Sequence, residues 1–314
     1  MSKRKVLLRA PVLTRSGYGE QSRFALRSLR SREDLFDIYI HPLEWGSTSW
    51  INEDSEERNW IDSRIEQTIL YIQQGGTFDV SLQVTIPNEF ERIAQHNVGF
   101  TAGIETTKVA HQWILKANEM DSLIVVSNHS KNTFEGTTYE AIDQNTNQKV
   151  ELKLQKEITA VNYPVKTYVD LQPLELDLDF DFNFVTVAQL GPRKNLENTI
   201  KWFLDEFKYE EVGLVVKTNV AKNCQVDREV VHGRLMALLA DPDYADRKCK
   251  VYLLHGDLTD KEMHEIYVNP KVKALLTFSH GEGFGLPIYE AAYTGIPVVS
   301  TGWSGQLDFL VDEK

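Results

Sequence analysis

The chain has 314 residues, 42% of them apolar, and a formal net charge of −12, enough to bury a large core and, by size, to form two domains. The acidic balance argues against broad binding to nucleic acid or anionic membranes, and no apolar run approaches the length needed to cross a bilayer or reads as a cleaved signal. Cys224 and Cys249 stand without C-x-x-C or Cys/His ligand spacing, which excludes a zinc site or disulfide framework and leads us to expect a reduced, cytoplasmic setting.

In chain order, short apolar runs alternate with helical patterns, the signature of βαβ units and parallel sheets, so the fold class is α/β. Lys5 to Leu8 is a predicted strand, VLTRSGYGE a turn and Gln21 to Leu29 a helix. Asn97 to Thr101 follows as a strand, Val109 to Asn118 as a helix, Ser122 to Val126 as a buried strand, and SNHSKN opens another helix. Residues 137–154 break the rhythm with two alternating polar and apolar runs about a QNTNQ turn, which predicts a β-hairpin inserted into the first domain.

Residues 171–181, LQPLELDLDFD, carry Pro173 and acids at alternate positions and read as an exposed connector. The domain boundary is placed there, giving domains of residues 1–172 and 173–314. Beyond it Phe182 to Ala188 is a strand, QLGPRKN a turn, Leu196 to Phe207 a helix, and Val212 to Lys217 and Lys250 to Leu254 are strands. Thr259 and Glu262 have the spacing of a capping box for a helix toward Val268.

The richest stretch is SHGEGFGLPIYEAAYTGIPVVST, which follows a predicted strand from Lys273 to Ser279. Gly295 and Pro297 end a short helix that starts near Leu286, with Pro287 suited to its first turn. Gly283, Phe284 and Gly285 then form the tight turn ahead of it, where glycine allows close backbone approach and helix amides favour an anion. Glu282 just before the turn and Glu290 inside the helix are acceptor-only groups suited to sugar hydroxyls. A ligand with a diphosphate between a ribose and a hexose uses every part of this pattern.

This stretch resembles the signature of the retaining glycosyltransferases of the GT-B fold, the large group that includes many bacterial mannosyl- and glucosyltransferases. The resemblance implies two Rossmann-like domains facing a cleft, a nucleoside-diphosphate sugar as co-substrate, and no metal or other cofactor. It implies that Glu282 contacts the transferred sugar, that Glu290 holds the ribose, and that the backbone of Gly283 to Leu286 meets sugar and phosphates. In QLGPRKN, Lys194 matches the lysine that neutralises the diphosphate, while Gln189 stands at the arginine position, leaving Arg193 as the second cation.

SGYG, with Gly17 and Gly19, resembles the glycine-rich loop that closes over the donor, and GIETTKVAHQW resembles the acceptor-side loop, with Glu105 and His111 as candidates there. Members of the group continue well past SGQLDFLVDEK, so a shortened second domain is expected. The expected reaction is hexosyl transfer to a hydroxyl acceptor, a lipid-linked sugar, polysaccharide or other glycan, with modified DNA a further option. An epimerase or phosphorylase-like enzyme of the same fold and a non-catalytic nucleotide-sugar-binding protein are the alternatives. The first 32 residues hold nine basic side chains against Glu20 alone. Arg23, Arg27 and Arg30 fall on one helix face, which with MSKRK suggests peripheral contact with an anionic membrane or nucleic acid.

Overall fold

In the first part of the chain, apolar stretches buried on both faces form a parallel sheet, as their near-continuous Val, Ile and Leu content requires. The computed structural model describes residues 3–142 and 147–311. The chain divides between Pro164 and Val165 into two compact units. The first holds β1 (Arg4–Ala10), α1 (Gly17–Arg30), β2 (Phe36–Pro42), α2 (Glu56–Gln73), β3 (Val80–Val84), β4 (His96–Thr101), α3 (His111–Glu119), β5 (Ser122–Val125), α4 (Asn128–Gly136), β6 (Thr138–Ile142), β7 (Lys149–Lys153) and β8 (Glu157–Ala160). The strand order is β2-β1-β3-β4-β5-β8, with every neighbouring pair parallel.

Side-chain caps start the helices where the strands end. Ser16 accepts a hydrogen bond from the Gly19 amide at α1, and Ser127 does the same for Ser130 at α4, each satisfying a donor that the first helical turn leaves unpaired. β6 and β7 pair antiparallel as a separate hairpin, Thr138 opposite Lys153. The centre of the predicted QNTNQ turn, residues 143–146, lies outside the described residues, as do Met1, Ser2 and the last three residues of the chain.

The arginine face of α1 is not an open cationic stripe. Arg23 is buried, paired with Glu20 at 2.7 Å and donating to the carbonyls of Val12 and Thr14. Arg27 makes a two-pronged pair with Glu57 of α2 at 2.7 and 2.8 Å, and the Arg30 guanidinium lies 4.4 Å over the Trp60 ring. The reason is tertiary: α2 brings Glu57 and Trp60 onto the face that sequence spacing alone leaves bare.

The second unit holds β9 (Asn183–Val187), α5 (Leu196–Phe207), β10 (Gly213–Lys217), α6 (Gln225–Leu239), β11 (Lys250–Leu254), α7 (Asp260–Tyr267), β12 (Val272–Thr277), α8 (Leu286–Tyr293), β13 (Val298–Ser300) and α9 (Leu307–Leu310). Its sheet runs β11-β10-β9-β12-β13, all parallel. Residues of β10 alternate between its two faces, as a strand must. Leu214 and Val216 pack with Leu196, Ile200, Phe203 and Leu204 of α5 on one face. On the other, Val215 packs with Ile266 and Tyr267 of α7 and Ile288 and Ala291 of α8.

Residues 171–181 belong to this second core and are not an exposed connector. Leu174, Leu176 and Leu178 pack against the α7 and α8 side, and the Leu174 amide donates to the Glu265 carbonyl. Burial alternates along the segment, with the leucines turned inward and the intervening acids Glu175, Asp177 and Asp179 exposed.

Candidate functional site

The sheet order of the second unit decides where a ligand can bind. β9 and β12 are neighbours, yet β9 leads to α5 on one face and β12 leads to α8 on the other. Connections that leave adjacent strands in opposite directions open a crevice at their carboxyl ends, the topological switch point of a doubly wound sheet. The QLGPRKN turn follows β9 and the GEGFG turn follows β12, so both predicted donor motifs meet there.

Three charged side chains converge at that point. Lys194 Nζ donates to both Glu282 oxygens, at 2.6 Å (Oε1) and 2.8 Å (Oε2), and Arg193 Nη1 donates to Oε2 at 3.2 Å and to the Gly281 carbonyl at 2.8 Å. Backbone geometry brings them in. Pro192–Lys194 forms a single 3-10 turn and Asn195 enters the left-handed region at φ 51° to start α5, while the His280 amide donates to the Arg193 carbonyl. Gln189 stays apart from the cluster: its amide donates to the Val220 carbonyl at 2.6 Å.

Glu282 is 7% exposed. Burial pushes its carboxyl up, but the Lys194 and Arg193 charges and the Lys194 hydrogen bonds outweigh burial and hold it below the usual carboxylate value. A group depressed in the folded state contributes stability above its unfolded pKa, near 4.5, and that contribution is lost as pH falls through the folded value. We therefore expect the melting-temperature gap between wild type and Glu282→Gln, measured calorimetrically, to be widest near neutral pH and to narrow as pH falls below 4.5. A gap independent of pH would show that the carboxylate is not held ionised by its partners.

The turn before α8 is built for close approach. Gly285 sits at φ 91°, the left-handed cap of α8, and Pro287 occupies the first turn, where its missing N–H costs nothing. Phe284 points inward, 3% exposed, with its ring 5.0 Å from that of Phe309 and 5.2 Å from that of Tyr289, so only its backbone borders the crevice. Gly283 is buried and Leu286 half-buried.

The turn is held by residues that sequence reading missed. The Glu282 amide donates to Ser304 Oγ at 2.9 Å, Ser304 donates to Gln306 Oε1 at 2.8 Å, and Gln306 Nε2 donates to the Thr301 carbonyl at 3.0 Å. The Gly305 amide closes the ring by donating to the Glu282 carbonyl at 3.0 Å. Ser304 adopts φ 76°, an uncommon conformation for a residue with a Cβ. The only signal available was the TGWSGQ composition after β13.

Glu290 is half-buried on α8. It lies near enough to Tyr267 that its charge adds to burial in raising that phenol well above its ordinary value. The turn and the trio Arg193, Lys194 and Glu282 thus form one cluster, with Glu290 further along α8.

The remaining candidates lie in the first unit. Gly17 opens α1 on its exposed side, whereas Gly19 is fixed by packing: a Cβ there would lie 2.0 Å from the Thr14 carbonyl oxygen. Tyr18 between them donates to or accepts from Thr101 Oγ1 at 2.8 Å. Burial raises the Tyr18 phenol and the nearby Glu105 carboxylate adds to the shift, so Glu105 lies near the glycine turn. His111 is exposed at the start of α3, edge-on to Tyr139 of the hairpin at 6.1 Å.

No family model matches the sequence and no curated protein matches it. Solved structures match across nearly its full length. A glycosyltransferase from Rickettsia africae is 13% identical with a TM-score of 0.62, covering 99% of this chain and 83% of its own. Anabaena HepE in complex with UDP-glucose is 14% identical with a TM-score of 0.60, covering 98% and 83%. The Thermobaculum terrenum O-GlcNAc transferase is 12% identical with a TM-score of 0.53, covering 95% of this chain and 52% of its own. At such identities the likeness speaks to architecture, and the two parallel sheets with their connecting helices give this chain the two Rossmann-like domains of the GT-B fold.

Proposed function

We propose that the protein is a retaining glycosyltransferase that moves a hexose from a nucleoside-diphosphate sugar to a hydroxyl acceptor, a glycan or lipid-linked sugar. The observation that carries this reading is the meeting of Arg193, Lys194 and Glu282 at the switch point, beside the amino end of α8. Two cations and one carboxylate leave net positive charge there, and the first-turn amides of a helix add to it. A diphosphate completes that field without a metal, and the Glu282 carboxylate, already oriented by its cations, offers its remaining lone pairs to sugar hydroxyls. The solved neighbour that holds UDP-glucose makes uridine diphosphate the first nucleotide to try.

In the reaction the bond from the anomeric carbon to the distal phosphate oxygen breaks while the acceptor oxygen bonds to that carbon from the same face. The acceptor proton passes to the departing phosphate. Lys194 and Arg193 stabilise the charge that develops on that phosphate, and the rest of the rate comes from holding donor and acceptor together.

Calorimetric titration with UDP-, GDP-, ADP- and dTDP-sugars, with and without EDTA, tests the donor site, and product anomer analysis tests retention. One nucleotide class should bind, and binding should survive EDTA. Glu290→Ala should weaken the nucleoside diphosphate by roughly 1.5–3 kcal/mol, about 10- to 150-fold. Unchanged affinity in that variant removes Glu290 from the ribose site, and failure of all four classes removes the donor reading.

A further inference from the structure

A further cation of this unit has no place in the site just described. Lys217 ends β10 beside β9, in register with Val187. Strand alternation puts its side chain with Val215 on the face that carries α7 and α8, the same face as the Glu290 helix. It is 9% exposed. Its Nζ donates to the Gly256 carbonyl at 2.7 Å, in the loop between β11 and α7 where Gly256 turns at φ 126°. Among the described residues no carboxylate lies within ion-pair distance of it. Burial lowers its pKa, and Asp257, acting only through its charge, opposes that shift.

An ammonium has three donors, and here one of them meets a neutral carbonyl. Removing such an ion from water costs several kcal/mol, while a hydrogen bond to a charged group returns about 1.5–3. Packing alone does not call for a lysine at this position, because an apolar side chain fills a strand end between two helices without that cost. What does call for it is an anion, and the carboxyl edge of a parallel sheet next to its switch point is where anions bind.

We infer that Lys217 is a ligand-binding residue that donates to the phosphoryl group next to the ribose. The inference rests on the nucleotide-sugar reading and adds to it. Lys194 follows β9 and Lys217 ends the neighbouring strand β10, so each cation can serve one of two linked phosphoryl groups. Lys217 shares the face of α7 and α8 with Glu290, the residue proposed for the ribose, so Lys217 takes the nucleoside side.

The test is a titration of wild type, Lys217→Met, Lys217→Arg and Lys194→Ala with the nucleoside diphosphate that binds wild type, its monophosphate and its nucleoside, weak ligands being measured by displacement. Lys217→Met should lose about 10- to 100-fold toward both phosphorylated forms and keep its affinity for the nucleoside. Lys217→Arg should stay within about fivefold throughout, since it keeps the charge. Lys194→Ala should lose affinity for the diphosphate and not for the monophosphate. An equal loss for all three ligands in Lys217→Met would assign Lys217 to bracing the Gly256 loop and overturn the inference, as would unchanged diphosphate affinity. Either result leaves the donor reading standing. If none of UDP, GDP, ADP or dTDP binds wild type, the donor reading fails and this inference falls with it.

Discussion

Replacing Lys194 with alanine should lower turnover by about 10²- to 10³-fold, the usual loss when one donor to a developing oxyanion is removed, while weakening sugar-nucleotide binding far less. The same change should destabilise the second unit. Lys194 bonds both oxygens of Glu282 at 2.6 and 2.8 Å, and its removal leaves a 7% exposed carboxylate with Arg193, at 3.2 Å, as the cation beside it. Breaking a buried pair on one side costs about 3–5 kcal/mol; with Arg193 still present the lower end is expected. The two effects separate in the double variant Lys194→Met with Glu282→Gln, which removes both charges. Its melting temperature should recover toward wild type while turnover stays lost, because neither the diphosphate nor the sugar finds its partner. Recovery of turnover together with stability would make the pair a structural device and end its assignment to catalysis. Arg193→Ala should be milder in both respects, since its side chain is 42% exposed.

Elements were legible in the sequence where local chemistry decides them. α5 over Leu196–Phe207 and β11 over Lys250–Leu254 match the predicted bounds, the Thr259–Glu262 capping box is present, and α8 starts at Leu286 because Gly285 and Pro287 leave the backbone little choice. α2 and α6 were not assigned. Both carry apolar residues on more than one side, with Ile69, Leu70 and Ile72 exposed on α2 and Val226, Val230 and Met236 exposed on α6, so no single apolar stripe marks the helical period. The arginines of α1 read as a cationic face because Glu57 and Trp60, their partners, come from another helix. In residues 171–181 the alternation of leucines was visible, but Pro173 and the acids pointed to exposure, and only the second core shows which face is covered. At the site, charge type and turn chemistry identified Glu282, Lys194 and Gly285. The Ser304–Gln306 support was invisible because the Ser304 side chain reaches across 22 residues to a backbone amide, which carries no sequence signature.

That support yields the sharpest steric prediction. A Cβ on Gly305 would lie 2.1 Å from the Gly283 carbonyl oxygen, 2.5 Å from its carbonyl carbon and 2.9 Å from the Glu282 carbonyl oxygen. All three are backbone atoms, so no side chain can rotate away and the turn itself must shift. Gly305→Ala should therefore cost about 1–3 kcal/mol of stability, the range for overpacked interiors. It should also lower turnover by about 10²-fold, since an ångström of misplacement at the reacting groups is enough for that. Gly302→Ala is the matched control: its Cβ meets nothing within 4 Å, and both melting temperature and turnover should stay at wild-type values. The displacement in Gly305→Ala moves the Glu282 carbonyl and the Gly283 turn together, so nucleoside-diphosphate affinity should fall along with turnover. A Gly305→Ala protein that melts, binds and turns over like wild type would mean that the Gly283 turn moves freely without consequence, and a turn of that kind cannot be what shapes the donor site.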